Sequence, residues 1–173
     1  MISFTPFPRL MTDRLVLRQL EMKDDHQIFF LRSDEVVNKY LVAPIAKSIG
    51  DARDFIRKIN NVVANNESVY WGLTVKDNNK LIGTICIWNI DWEENKAEIG
   101  YVLNPDLQGK GLMQEAVAAV IEYGFQQMKL QCLDAVLHPD NKRSILLLER
   151  NGFVYHSVLA DEAVYSLKNP FKQ

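Results

Sequence analysis

Leu107-Gln108-Gly109-Lys110-Gly111-Leu112-Met113-Gln114-Glu115-Ala116 joins a glycine-rich turn to the start of a strongly apolar helix. Glycines let the backbone take positive φ and approach a ligand closely, and the free N–H groups of the helix's first turn point at the same spot. An anionic pyrophosphate suits that arrangement. Lys110 reads either as a mobile cation beside the amides or as a solvated surface lysine, since amides rather than side chains carry such sites. Gln114 replaces the third glycine of a Gly-x-Gly-x-x-Gly dinucleotide turn, and no alternating parallel repeat precedes it. Gly109-Lys110-Gly111 also lacks the Gly-Lys-Ser/Thr ending of a nucleoside-triphosphate loop.

Upstream of the turn the pattern is that of strands. Val69 to Lys76, a turn at Asp77-Asn78-Asn79, Leu81 to Ile90 and Ala97 to Leu103 predict an antiparallel meander. Before it, Arg14 to Leu20 reads as a first strand, and Asp24 as the cap of a short helix turning Ile28, Phe29 and Leu31 inward. Ser33 restarts a helical turn through Val36, Val37 and Tyr40. Ser48 and Asp51 form a capping box for an amphipathic helix carrying Ala52, Phe55, Ile56, Ile59 and Val63.

Downstream, the helix from Leu112 to about Met128 has Val117, Val120, Ile121 and Phe125 on one side. Cys132 to Leu137 is a short buried strand. Asn141 to Arg150 is a helix closed by Asn151-Gly152, and Val154 to Leu159 and Ala163 to Leu167 are the closing strands. The strands before and after the Leu112 helix are expected to be parallel neighbours through a right-handed crossover. The expected class is mixed α/β in one domain over residues 1–173.

Composition narrows the partners. Of the 173 residues, 47% are hydrophobic and 24% charged, so a core can form without staples. Net charge is −2 with basic residues scattered, which gives no footprint for nucleic acid. Met1 to Pro8 has no signal-peptide pattern and no run is long enough to span a bilayer, so the expected location is the cytoplasm. The two cysteines, Cys86 and Cys132, sit in apolar runs without metal-ligand spacing, and no metal is expected.

Five motifs run in order along nearly the whole chain: Thr12-Asp13-Arg14-Leu15-Val16-Leu17-Arg18, Ala97-Glu98-Ile99-Gly100-Tyr101, the Gln108-Gly109-Lys110-Gly111 turn, Asn141-x-x-Ser144, and Glu149-x-x-Gly152-Phe153. Together they resemble the RimJ/RimL-like branch of the GNAT acetyltransferase superfamily. Asp161 and Tyr165-Ser166-Leu167 resemble the closing strand. The resemblance implies the GNAT fold, with a mostly antiparallel central sheet, a splayed parallel strand pair and flanking helices. It implies acetyl-CoA as cosubstrate, its pyrophosphate on the amides of Gly109, Lys110, Gly111, Leu112 and Met113, with Gln108 fixing the turn or touching phosphate. Tyr101, Val102 and Leu103 would pair with the pantetheine arm and aim an N–H at the thioester oxygen.

Acyl transfer from a thioester to an amine needs a neutral amine, a polarised carbonyl and a protonated leaving thiol. Glu98 is the candidate base, unless it is a surface glutamate. Ser144, one helical turn after Asn141, holds the position that the resemblance assigns to protonating the thiolate, and Asn141 would hold the pantetheine arm, cap the helix, or both. Many GNAT members have a tyrosine acid where this chain has Leu148, so Tyr101 and Tyr155 stand in reserve. His138, at a strand end, is either a second proton carrier or a turn residue.

Trp88-Asn89-Ile90-Asp91-Trp92-Glu93-Glu94 forms an aromatic and acidic rim suited to a cationic acceptor, or else Trp88 is core and the rest a solvated hairpin. The branch implies a protein N-terminal α-amine as acceptor, and the family at large also implies small-molecule amines or antibiotics, or an acyl-CoA-binding module without turnover. Dimers are common in the family, so a homodimer is a further expectation.

Overall fold

In the computed structural model, which describes residues 2–41 and 43–171, the three meander strands lie at the centre of one eight-stranded sheet. The elements in chain order are β1 Leu10–Met11, β2 Leu15–Arg18, α1 Asp25–Ser33, α2 Glu35–Asn38, α3 Ile49–Ala64, β3 Val69–Val75, β4 Asn78–Asp91 and β5 Lys96–Leu103. Then come α4 Leu112–Glu122, β6 Cys132–Leu137, α5 Lys142–Arg150, β7 Val154–Leu159 and β8 Glu162–Lys168. The sheet order is β1-β2-β3-β4-β5-β6-β8-β7, antiparallel except for the β5–β6 pair.

That parallel pair is short. Lys96, Ala97 and Glu98 align with Cys132, Leu133 and Asp134, after which β5 runs on to Leu103 and β6 to Leu137 without pairing to each other. The sheet therefore opens into a V whose apex is the Glu98–Asp134 pair. Alternation sends Ala97, Ile99, Tyr101 and Leu103 to one face and Glu98, Gly100 and Val102 to the other. The first face carries the main core with Met113, Ala116, Val117 and Val120 of α4 and Leu148 of α5. The second holds a smaller cluster in which Ile28, Leu31, Ala52 and Ile56 of α1 and α3 pack with Leu81 and Val102.

Several expectations need correction. The first strand is Leu15–Arg18, shorter than Arg14 to Leu20, and a two-residue β1 precedes it. Asp24 stands at the start of α1 but gives its carboxylate to Arg18 and to the Glu21 N–H, at 2.8 Å each, rather than to the helix. Asp34, not Ser33, starts the next turn, accepting from the Val37 N–H at 2.9 Å. The long helix changes to π geometry at Tyr123–Gln127, and Asn141 is the cap of α5 rather than its first residue. The capping box of Ser48 and Asp51 is present on α3.

Candidate active site

Gly109 and Gly111 both have φ near +75°, at 76° and 75°. Gly111 is the N-cap of α4 and has no side chain to satisfy the helix's first amides. Among the described residues, the N–H groups of Gly109, Lys110, Gly111, Leu112 and Met113 have no acceptor. The Leu112 and Met113 side chains are buried, so those residues offer the backbone only. This is an anion cradle built from amides and a helix N-terminus.

Its surroundings are tied down. Gln108 donates to the Leu103 carbonyl at 3.3 Å and accepts from Arg143 Nη1 at 2.8 Å, linking the end of β5 to α5. The Lys110 ammonium is exposed and donates to the Asp106 carbonyl at 3.1 Å. Gln114 and Asn151 exchange amide hydrogen bonds of 2.9 and 3.1 Å, which joins α4 to α5.

Between β5 and α5, on the face that carries α4, Tyr101 and Ser144 meet with their hydroxyl oxygens 2.6 Å apart. Burial pushes the Tyr101 phenol up to about 12, against the opposing effect of its bond to Ser144. The Asn141 side-chain carbonyl accepts from the Ser144 N–H at 3.3 Å, so it caps α5. Leu148 is fully buried in the main core, which makes this position a packing site.

Glu98 lies on the opposite face, half-buried, and accepts from Asn89 Nδ2 at 2.7 Å. Beside it the buried Asp134 pairs with Lys96 Nζ at 2.7 Å and accepts from the Ser166 hydroxyl at 2.6 Å. That hydrogen bond to Asp134 raises the Lys96 pKa. A groove of about 920 Å³ runs past these residues, lined also by Asn89, Asp91, Trp92 and His156. Trp88 is 48% exposed and Trp92 41%, so Trp88 is not core. A Cβ on Gly100 would stand 3.4 Å from Cys86 Sγ and 3.7 Å from Trp88 Nε1, ordinary contact distances, so the indole lies directly beside this strand on the Glu98 face.

Other candidates fall outside this arrangement. His138 Nδ1 accepts from the Asp140 N–H at 3.1 Å, and its ring lies 5.4 Å from that of Tyr40. It is a turn residue in contact with the segment after α2. Tyr155 is exposed on edge strand β7 and meets Tyr165 edge to face. Burial raises the thiols of Cys86, to about 12, and Cys132, which keeps them protonated. No cluster with the makings of a metal site occurs among the described residues.

Residues to which the sequence assigned no role of their own also converge here. Arg14 and Glu115 meet at the turn, Asp134 sits at the apex of the V, and His156 reaches the groove from β7. Only His156 and Asp134 had a usable signal, in the alternation of their strands.

A cradle of free amides thus lies on one side of the opening in the sheet and a carboxylate groove on the other. The family model for the acetyltransferase (GNAT) domain matches residues 14–154, and the chain belongs to that family. It is 36% identical to p20, an uncharacterised N-acetyltransferase of Bacillus licheniformis, over 88% of this chain and 85% of that one. It is 29% identical to the ribosomal protein uS5-alanine N-acetyltransferase of Escherichia coli, over 87% of this chain and 80% of the relative. The solved structure of a GNAT-family acetyltransferase from Bacillus anthracis superposes with a TM-score of 0.80 at 26% identity, covering 94% of this chain and 99% of that one.

Proposed function

We propose that this protein transfers the acetyl group of acetyl-CoA directly to the α-amine of a protein N-terminus, without a covalent enzyme intermediate. The observation that carries the reading is the opening of the β5–β6 pair immediately after Glu98 and Asp134, between the amide cradle and the groove. Acetyl-CoA would lay its pyrophosphate on the amides of Gly109 to Met113. The unpaired edge of β5 at Tyr101, Val102 and Leu103 would run beside the pantetheine arm, and a backbone N–H there would polarise the thioester oxygen.

The acceptor would approach from the other face, where Glu98 takes the ammonium proton, directly or through water. As the tetrahedral intermediate collapses, the C–S bond breaks, the nitrogen gives up its second proton to water, and the thiolate takes a proton from the Ser144 hydroxyl, whose hydrogen-bond partner is Tyr101 and whose proton water then restores. The Asn141 side-chain carbonyl is committed to the helix cap, and its NH₂, with no acceptor among the described residues, would hold the arm. The reading of a protein acceptor is supported by the uS5-alanine acetyltransferase relative and by a groove with the exposed rim Asp91, Trp92 and Glu93, which leaves space for an extended chain.

The test is transfer of labelled acetyl from acetyl-CoA into an extract lacking this protein, separated into macromolecular and small-molecule fractions. Label in a protein band, lost when its N-terminus is blocked, is the expected result. Label only in small molecules would move the acceptor to a small amine. Binding of CoA with no transfer would make the protein an acyl-CoA-binding module.

A further inference from the structure

The opening Thr12-x-Arg14 motif does not end at the sheet. Arg14 Nη1 donates to the carbonyl of Lys110 at 2.9 Å, across 96 residues of chain. Glu115, in the first turns of α4, grips the same arginine: its carboxylate pairs with Nε and accepts from the Arg14 backbone N–H at 3.1 Å. The Thr12 hydroxyl donates to that carboxylate at 2.6 Å. Burial acts to raise the Glu115 carboxyl, yet the bonds from Thr12 and Arg14 bring it below its ordinary value and keep it charged.

A trans peptide is planar, with its C=O and N–H on opposite sides. Holding the Lys110 carbonyl toward Arg14 therefore directs the Gly111 N–H away from the brace. Gly111 itself sits at φ 75°, and a Cβ on it would stand 3.2 Å from Arg14 Nη2, so the guanidinium packs directly against the turn. Glu115 largely compensates the arginine's charge, which leaves orientation, not net charge, as its contribution.

We propose that Arg14, set in place by Thr12 and Glu115, is a positioning residue that holds the Lys110–Gly111 peptide so that the Gly111 amide meets the pyrophosphate of the acyl carrier. The inference rests on the acyl-CoA reading above and gives the N-terminal motif a task in cosubstrate binding. Only a planar fork bonds a carboxylate through Nε and a carbonyl through Nη1 at once; a lysine is a point charge and cannot replace it.

The experiment is calorimetric titration of CoA into the wild type, Arg14→Ala, Arg14→Lys and Glu115→Gln, with thermal unfolding of each and with the Gly111 amide followed by ¹H–¹⁵N spectroscopy. Both Arg14 variants are expected to weaken CoA about tenfold, the size of one well-oriented hydrogen bond. Glu115→Gln should weaken it less, and the CoA-induced displacement of the Gly111 resonance should shrink in Arg14→Lys. Wild-type affinity in Arg14→Lys would overturn the proposal in favour of plain charge. Unaltered affinity with a lowered Tm would overturn it in favour of a stability brace. If the wild type itself binds no CoA, the acyl-CoA reading fails first and this proposal with it.

Discussion

The hydroxyl oxygens of Tyr101 on β5 and Ser144 on α5 stand 2.6 Å apart, joining the two elements that face each other across the open side of the parallel pair. An isolated serine is a poor acid, and its only side-chain partner among the described residues is a phenol whose ionisation burial opposes. Ser144→Ala is expected to leave CoA affinity near normal and lower turnover at least about tenfold. A wild-type rate, measured by thiol release, would remove Ser144 from the mechanism.

The same phenol gives a stability test at high pH. Its pKa is raised in the folded state, to about 12, so its contribution is fully present below the unfolded value near 10 and is lost as pH rises through the folded value. Tyr101→Phe removes that titration. The difference in unfolding free energy between Tyr101→Phe and the wild type should therefore move in favour of the variant between about pH 10 and 12, by roughly 2 kcal/mol. Denaturant titrations across that interval check it, and a constant difference would contradict it.

Glu98→Gln keeps the hydrogen bond from Asn89, because the amide oxygen still accepts, but removes the proton acceptor. The rising limb of turnover against pH should flatten or move to higher pH. An unaltered profile would assign the base elsewhere.

Gly111→Val should abolish CoA binding. The position lies at φ 75°, where a β-branched residue is strained, and the new Cβ would press on Arg14 Nη2 at 3.2 Å. Gly109→Ala has the same φ problem at 76° but no heavy atom within 4 Å, so its effect should be confined to about 1–2 kcal/mol of backbone strain. Calorimetry and unfolding of the two variants separate these cases.

Arg18 and Asp24 form a two-bond ion pair, with both bonds at 2.8 Å, in which Arg18 is 8% exposed and Asp24 2%. Asn79 and the Gln19 carbonyl also accept from that guanidinium. Asp24→Ala strands the buried charge and should cost about 3–5 kcal/mol in urea unfolding. A loss under about 1 kcal/mol would mean that water replaces the carboxylate.

The glycine turn, the capping box on α3 and the bounds of β6 and β7 were legible because each depends on residues within a few positions: φ preference, a cap three residues from its acceptor, side-chain alternation. The cap on α1 was misread for the opposite reason. Asp24 has the right local chemistry, and a buried arginine from β2 claims it. For Trp88 the sequence leaves core and rim both open, and the fold settles it: the indole lies at the surface, 48% exposed, beside Gly100 of the next strand.

Local pattern alone thus determined most of the elements, their order and the glycine turn, and motif order pointed to the family. Tertiary structure decided where β5 and β6 part, that Tyr101 meets Ser144, and that Arg14 and Glu115 brace a turn about a hundred residues along the chain, with separations of 96 and 101. Those contacts depend on how sheet and helices pack together. Backbone preference and alternation act over a few residues and carry no information about which distant side chain completes a hydrogen bond.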